Sequence, residues 1–244
     1  MKLLTLLLVL FAKVTSASPT FYVLGEDYLL YSTSKESTVV INGLSAKSWA
    51  LDSNRCRLWV TAEGPNQLMS FEKGKKQQEI PFSGRIVSEV SHGQFALLPD
   101  SGEVQLRNIE GAIISQFPIQ NAQSLRSLAL LSNGDSWGVF QDETKKNNLE
   151  LRRVNSKGED IQKVALLPTE EFWGKVQLFV DELHDQMWVG YARKSTHHAY
   201  APKVDRFSLS GTESWTYQWD ERGFFFDGCV NHEGDLVVAR DLPT

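Results

Sequence analysis

The chain has 244 residues, a net charge of −5 and 41% hydrophobic residues. That hydrophobic content is too low for a membrane protein and too high for a disordered chain, and a chain of this length buries a sizeable core. No basic run is longer than two residues, so the basic patch that typifies nucleic-acid binding is missing and we expect no nucleic-acid partner.

The first segment, 1–17, predicts a secretory signal peptide. Lys2 precedes an apolar run at 3–12, and small residues at the end of the segment suit cleavage near Ala17. The run is shorter than the about 20 apolar residues that a membrane span needs. We therefore expect a secreted or periplasmic domain covering 18–244, with no membrane span.

Short apolar segments separated by polar turns follow along the whole chain. Their β-branched and aromatic content indicates strands, and helical periodicity is nearly absent. The predicted strands are 22–24, 28–31 and 38–41; then 49–52, 57–62, 68–71 and 79–82; then 88–90, 95–98, 104–109 and 113–119; then 128–131, 137–141, 149–154 and 161–166; then 176–180, 187–192, 204–209 and 215–219; and finally 224–231 and 236–240.

One sequence pattern, a strand followed by a polar turn and a second strand, recurs through these segments. It is clearest at 49–63, WALDSNRCRLWVTAE, and it returns in looser form at 87–100, 128–142, 178–192 and 227–241. A repeat of roughly 40 residues is typical of propellers and solenoids. The fold class predicted is all-β, as a single β-propeller.

The number of blades depends on how the two ends meet. The last unit supplies two strands, and the hairpin 28–41 can add the outer strands to 224–240, which favours five blades closed by both ends in one blade. The alternative is six, with 21–44 as a blade of its own. Trp59, Trp137 and Trp188 occupy equivalent second-strand positions and are predicted to fill the gaps between blades.

The first repeat carries a family resemblance. ALDSNRCRLWVTAEGPNQLMSF, residues 50–71, resembles an NHL-type or related six-bladed propeller repeat. Such superfamilies include scaffolds, sensors, lyases, lactonases and hydrolases, so the resemblance implies a fold and leaves the activity open. Glu63, Gly64 and Pro65 have the letters of the gluconolactonase-type metal motif, but here they follow a second strand instead of leading into an inner one.

The two cysteines, Cys56 and Cys229, lie in the first and last repeats. In an oxidising compartment an even count allows one disulfide, which would clamp the closure of the ring. The alternative is two buried thiols that behave as small apolar residues.

The long connection 194–203, KSTHHAYAPK, is the candidate ligand site. Binding residues collect on long loops of rigid β scaffolds. The alternative is an ordinary variable insertion. The candidate residues are Arg193, His197, His198, Tyr200 and Lys203.

The sequence has no HExxH or CxxC motif. The letters GDSWG at 134–138 match GxSxG, but they run from a predicted hairpin turn into a strand and so do not form the strand-to-helix elbow of a nucleophilic serine. We therefore expect a non-catalytic module that binds an unknown protein or small molecule without a cofactor. The alternative is a metal-dependent lactonase or hydrolase of the gluconolactonase type. Glu89, Asp181 and Asp227 on inner strands would then supply oxygen ligands, with Ca²⁺ as the expected ion.

Overall fold

Nearly all of the described chain is β-strand. The computed structural model describes residues 7–8, 21–24, 28–32, 37–42, 46–52, 55–62, 66–141, 148–165, 172–193, 201–219, 225–230 and 233–240. Within these residues the only helix is a single 3-10 turn, Ala122–Ser124, and no helix reaches the length and hydropathy needed to cross a membrane.

Four sheets between residues 46 and 218 each contain four consecutive strands, and we call each sheet a blade. Neighbouring strands are antiparallel wherever their register is defined. The first blade is β5 (Ala46–Asp52), β6 (Arg57–Ala62), β7 (Gln67–Glu72) and β8 (Lys75–Pro81). The second is β9 (Gly84–Ile86), β10 (Gln94–Pro99), β11 (Glu103–Asn108) and β12 (Ile113–Pro118). The third is β13 (Leu125–Leu130), β14 (Ser136–Gln141), β15 (Leu149–Val154) and β16 (Asp160–Ala165). The fourth is β17 (Phe172–Asp181), β18 (Gln186–Arg193), β19 (Ala201–Ser208) and β20 (Glu213–Gln218).

The end segments form two further sheets. One contains β1 (Leu7–Leu8), β2 (Phe21–Leu24), β3 (Tyr28–Ser32) and β4 (Ser37–Asn42); the other contains β21 (Phe225–Val230) and β22 (Leu236–Arg240). The sequence predicts five blades, with six as the alternative, and both numbers are wrong. The structure has four blades between residues 46 and 218. The closing blade shared by both ends is not formed among the described strands, because β3 and β4 pair with β2, while β21 and β22 pair with each other.

The first strand of the second blade lies earlier than predicted. The sequence predicts it at 88–90, whereas β9 ends at Ile86. Beyond Ile86 the hydrogen bonds to β10 change from backbone to side-chain acceptors. The Val87 amide still donates to the Ala96 carbonyl at 3.0 Å, but the Ala96 amide donates to the Ser88 hydroxyl at 2.7 Å. Since a side chain accepts the next hydrogen bond in place of a carbonyl, strand pairing ends there.

The chain divides into two compact units, each with its own buried core. One comprises residues 1–101 and 105–116, and the other comprises 102–104 and 117–244. In the first unit the core includes Trp59, which is fully buried with Phe95, at a ring distance of 5.2 Å. In the second unit Trp137 is fully buried between strands of the third and fourth blades.

Candidate functional site

In the first unit, the turn between the third and fourth strands of one blade covers the blade before it. The β11–β12 turn lies on the first blade, where the Trp59 indole donates to the Ile109 carbonyl at 3.2 Å. The Gln78 amide donates to the Glu110 carbonyl at 3.1 Å. A Cβ added at Gly111 would lie 2.6 Å from the Trp59 ring, so only glycine fits this close approach.

The second unit repeats the arrangement between the third and fourth blades. The β19–β20 turn covers Trp137, and the Gln162 amide donates to the Ser210 carbonyl at 2.6 Å. A Cβ added at Gly211 would lie 2.6 Å from the Gln162 side chain and 3.2 Å from the Trp137 ring. The covering turn is therefore a repeated device, and it seals the outer half of each of these blade faces.

The fourth blade lacks this cover among the described residues. Trp188 occupies the position in the fourth blade that Trp137 occupies in the third. The half of the blade face around Trp188 is buried by β21 and β22. The packed side chains are Phe179, Trp188 and Val204 from the blade and Val230, Leu236 and Val238 from the two-stranded sheet. The outer half of the face is open: Trp215 is 49% exposed and Tyr217 is 44% exposed.

The open half of this face forms a cleft of about 640 Å³, which we call the β20–β22 cleft. Its lining residues are Gln186, Trp188, Val204, Arg206, Trp215, Tyr217, Trp219, Glu233, Gly234, Asp235, Leu236 and Val238. All of them belong to the second unit. The cleft therefore lies inside one compact body and is a candidate binding site.

Three aromatic side chains form one wall of the β20–β22 cleft. Alternate residues of a strand share a face, which brings Trp215 and Tyr217 to the same side of β20, and Trp219 directly follows the strand. The Trp215 and Tyr217 rings are stacked at 5.7 Å with 14° between their planes, and Tyr217 meets Trp219 edge to face at 4.7 Å. This arrangement is an extended apolar strip with indole and phenol polar groups along it.

Charged groups border the aromatic strip. Arg206 lies on β19 beside the strip, and its Nε is buried with no hydrogen-bond partner among the described residues. Glu233 and Asp235 also line the cleft, from the turn between β21 and β22. The cleft thus offers an apolar surface with one cation and two carboxylates at its border.

Lys203, predicted to bind a ligand, is buried on the other face of β19. Its ammonium is 2.8 Å from one carboxylate oxygen of Asp205, and it donates to the Tyr191 hydroxyl at 2.9 Å. Tyr191 and Thr216 each donate to Asp205 at 2.6 Å. The side chains of Lys203 and Asp205 are only 2% and 3% exposed and are paired with each other, so they stabilise the blade interior.

The other predicted ligand-binding residues lie at or beyond the limits of the description. His197, His198 and Tyr200 fall outside the described residues. Arg193 is the last residue of β18, and its side chain also falls outside them. These residues stay candidates from the sequence.

The structure places the predicted metal ligands in different settings. Asp181 ends β17, and its carboxylate accepts from the amides of Leu183 and His184 and contacts the His184 ring at 2.5 Å, so it organises a turn. Glu89 is half-buried between β9 and β10, and the Asp227 side chain lies outside the description. Among the side chains that are described, no three His, Cys, Asp or Glu residues lie close enough to share a metal ion.

Cys56 carries a free thiol in this structure, in the turn between β5 and β6, with a φ of 52°. The disulfide to Cys229 stays a prediction from the sequence. The side chain of Cys229 lies outside the described residues.

The sequence analysis treated the aromatic residues of the β20–β22 cleft only as a strand. Their signal was present as WTYQW, residues 215–219. The fourth strands of the first and third blades have Gln78 and Gln162 where β20 has Trp215, and Ile80 and Val164 where it has Tyr217. A tryptophan in place of the glutamine is the detectable departure from the repeat.

Comparison with known proteins gives a fold. No protein-family model and no curated protein matches the sequence. Hydrazine synthase from Kuenenia stuttgartiensis is similar in structure, with a TM-score of 0.66 and 8% identity over 90% of this chain and 70% of that one. Virginiamycin B lyase from Staphylococcus aureus has a TM-score of 0.54 and 12% identity over 91% and 80%. BamB from Moraxella catarrhalis has a TM-score of 0.50 and 11% identity over 91% and 85%.

These similar structures belong to the β-propeller class, and the present chain has a β-propeller fold. Identities of 8–12% give the fold alone. Because the similar structures include a synthase and a lyase as well as BamB, the fold does not select an activity.

Proposed function

We propose that the protein is a non-catalytic binding module whose binding site is the β20–β22 cleft. The observation that carries this proposal is the exposure of Trp215 and Tyr217, at 49% and 44%, on the outer strand of a four-stranded sheet. Exposed apolar patches beside a concave surface mark interaction sites, and Trp, Tyr and Arg supply most of the binding energy at interfaces.

The scaffold supports binding at low entropic cost. Trp215 and Tyr217 lie on a strand that is hydrogen-bonded to β19 along its length, and their rings stack on each other. Side chains already held in place lose little conformational freedom when a ligand arrives. Arg206 then provides a directional hydrogen-bond donor at the edge of the apolar strip.

The test is a binding screen with matched variants. Purified protein is presented to arrays of glycans and of peptides, together with a Trp215→Ala and Tyr217→Ala double variant and an Ile161→Ala control. Ile161 is 55% exposed on β16 of the same unit but lies outside the cleft. We expect ligands of the wild-type protein to lose at least about tenfold in affinity in the double variant, as for hot-spot truncation, and to be kept by the control.

Two results would contradict the proposal. Retention of every ligand by the double variant would place the binding site elsewhere. Hydrolysis of a lactone panel by the wild-type protein with added Ca²⁺, abolished by Asp227→Asn, would favour the metal-dependent hydrolase in place of a binding module.

Export from the cytoplasm is part of the proposal. It is supported by the apolar run at 3–12 and the small residues before Ser18. Cleavage after Ala17 would remove β1, whose two residues pair with β2, and would leave β2, β3 and β4 as a three-stranded sheet. N-terminal sequencing of the protein recovered from culture medium or periplasm tests this: an intact Met1 would contradict it.

A further inference from the structure

The strand that borders the β20–β22 cleft has a free edge in the described part of the chain. β22 pairs with β21, with Leu236 opposite Val230 and Val238 opposite Gly228, and no described strand pairs with its other side. In each of the four blades the second strand pairs with a third strand on that side. Unpaired backbone groups along a strand are a template for a further strand, and a two-stranded sheet alone is marginally stable.

The repeat shows where a third strand would lie. In the pairs of blades described above, the turn after the third strand covers the fourth strand of the preceding blade at Gln78 and at Gln162. Both glutamines stand four residues after the turn glycine that precedes their strand, and Trp215 has the same spacing from Gly211. The turn after a third strand beside β22 would therefore cover Trp215, at the open half of the cleft.

The face buried between the fourth blade and β22 is continuous with the cleft. Trp188, Val204, Trp219, Leu236 and Val238 belong both to the packed cluster and to the cleft lining. A strand added to β22 would extend an interface that the chain already forms. Within the second unit, each of the other described strands pairs with a neighbour inside its own sheet.

The third strands of the blades show which residues the added strand needs. Phe71 and Phe207 lie near the ends of β7 and β19, fully or almost fully buried in clusters that include side chains of the preceding sheet. On the opposite face of β15, Arg153 pairs with Asp135 of the turn between β13 and β14, at 2.7 Å. Asp135 follows Gly134 as Asp235 follows Gly234, so Asp235 is placed to attract a cation from the added strand.

We propose that the β20–β22 cleft binds an extended segment of a partner protein, which adds to β22 as a third antiparallel strand. The segment carries large apolar residues at alternate positions, facing Trp215 and Tyr217, and a lysine or arginine on its other face near Asp235. Main-chain hydrogen bonds to β22 supply affinity, and the aromatic strip supplies specificity. This inference rests on the proposed function of the cleft and specifies its ligand.

The test supplies such a strand in a known sequence. A copy of residues 201–219, the third and fourth strands of the fourth blade, is joined after Thr244 of the full chain through a flexible Gly-Ser linker. The copy carries Arg206 and Phe207 in the positions that the proposal requires. Tethering raises its effective concentration to the order of millimolar, which makes a weak strand addition measurable. The matched control carries Arg206→Glu and Phe207→Asp in the copy alone.

Hydrogen exchange and hydroxyl-radical labelling measure the outcome. We expect amides of β22 to exchange at least about tenfold more slowly with the intact copy than with the control copy, because they become hydrogen-bonded. We expect labelling of the original Trp215 and Tyr217 to fall in parallel. Equal exchange with both copies overturns the proposal. Protection of β22 in the untethered protein that disappears on dilution also overturns it, because the occupant is then a second copy of this chain.

The two proposals fail in distinguishable ways. If the tethered copy gives no protection while the Trp215→Ala and Tyr217→Ala variant still loses array ligands, the cleft binds something other than a strand and the binding function stands. If the double variant keeps all array ligands, the cleft is not the binding site at all.

Discussion

The third and fourth blades present the same face in two different states. On the third blade, Trp137 is fully buried and Gln162 is hydrogen-bonded to the following turn. On the fourth blade, Trp188 is buried but Trp215, at the place of Gln162, is half-exposed. The strands of the two blades are alike, and the sheet that follows them differs: four strands cover the third blade, and two cover the fourth. The exposure of a residue on this blade face therefore depends on how many strands the following sheet contains.

That difference separates residues that stabilise the fold from residues available for binding. Burial of an aromatic side chain by the next sheet stabilises the fold. An aromatic side chain that stays exposed can instead be buried when a ligand binds, and that burial then adds to the binding free energy. The predictions below compare a covered position with an uncovered or open one.

The largest effect is expected from the two tryptophans. Trp137→Ala removes a fully buried side chain and is expected to lower the free energy of unfolding by about 3–5 kcal/mol. Trp215→Ala removes a half-exposed one and is expected to change it by about 0.5 kcal/mol or less. Urea denaturation followed by circular dichroism measures both. Similar losses in the two variants would mean that the β20–β22 cleft is closed in solution.

Two cations of β19 on opposite faces give the next comparison. Lys203→Met leaves the buried Asp205 without its cation and is expected to destabilise the protein by about 3–5 kcal/mol, as for a broken buried pair. Arg206→Met, on the cleft side, is expected to cost about 1 kcal/mol or less. Thermal denaturation of the two variants measures the difference. A fully stable Lys203→Met variant would contradict the buried network and return Lys203 to the candidate ligand-binding residues.

Two turn glycines have the same backbone conformation but different space around them. Comparing them separates the cost of a steric clash from the cost of a positive φ. Gly158 and Gly134 have φ values of 85° and 87°. A Cβ at Gly158 would lie 1.6 Å from the Pro118 carbonyl oxygen, whereas at Gly134 the nearest atom is 3.8 Å away. Gly134→Ala is expected to cost about 1–2 kcal/mol for the left-handed conformation. Gly158→Ala is expected to cost about 1–3 kcal/mol more because of the clash. Equal stabilities in denaturant would show that the β15–β16 turn does not press on β12.

The smallest effect is a pH dependence at the turn that covers the first blade. Hydrogen bonds from Arg57, and then from Arg55, lower the pKa of the Glu110 carboxyl below its usual value. A carboxyl with a depressed folded-state pKa adds stability above its unfolded pKa, and that contribution is lost as the pH falls through the folded value. The contribution is small because Glu110 is half-exposed.

Glu110→Gln should therefore reduce stability near neutral pH and have little effect in acid. The matched control is Glu103→Gln, at an exposed position on β11. NMR titration of the Glu110 carboxyl measures the pKa directly, and a pKa at or above the usual glutamate value would contradict the ion pairs with Arg55 and Arg57.

The β class and the position of most strands could be predicted from the sequence, because alternation and turn residues are local signals. Predicted segments such as 57–62 and 149–154 coincide with β6 and β15. The burial of Trp59, Trp137 and Trp188 at equivalent positions was also predictable, since the repeat places them on the same strand of each unit. The candidate site was not found, because the sequence drew attention to the long loop at 194–203.

Lys203 shows how a strand boundary changes the assignment of a residue. It was assigned to the end of a loop, but β19 begins at Ala201, and alternation on the strand then turns Lys203 toward the blade interior. A shift of three residues in a strand boundary, from 204 to 201, decides whether this cation belongs to a loop or to a strand.

The sequence by itself determined a chain of short antiparallel strands in a repeat, because strand periodicity and turn chemistry act over a few residues. Only the tertiary structure decided which strands share a sheet at the two ends and which blade face is left open. The open face depends on packing between segments that are separated in the chain, such as Leu236 and Val238 of β22 with Phe179 and Trp188 of the fourth blade. The aromatic strip of β20 is visible in the letters, but its exposure follows from the two strands that pack beside it.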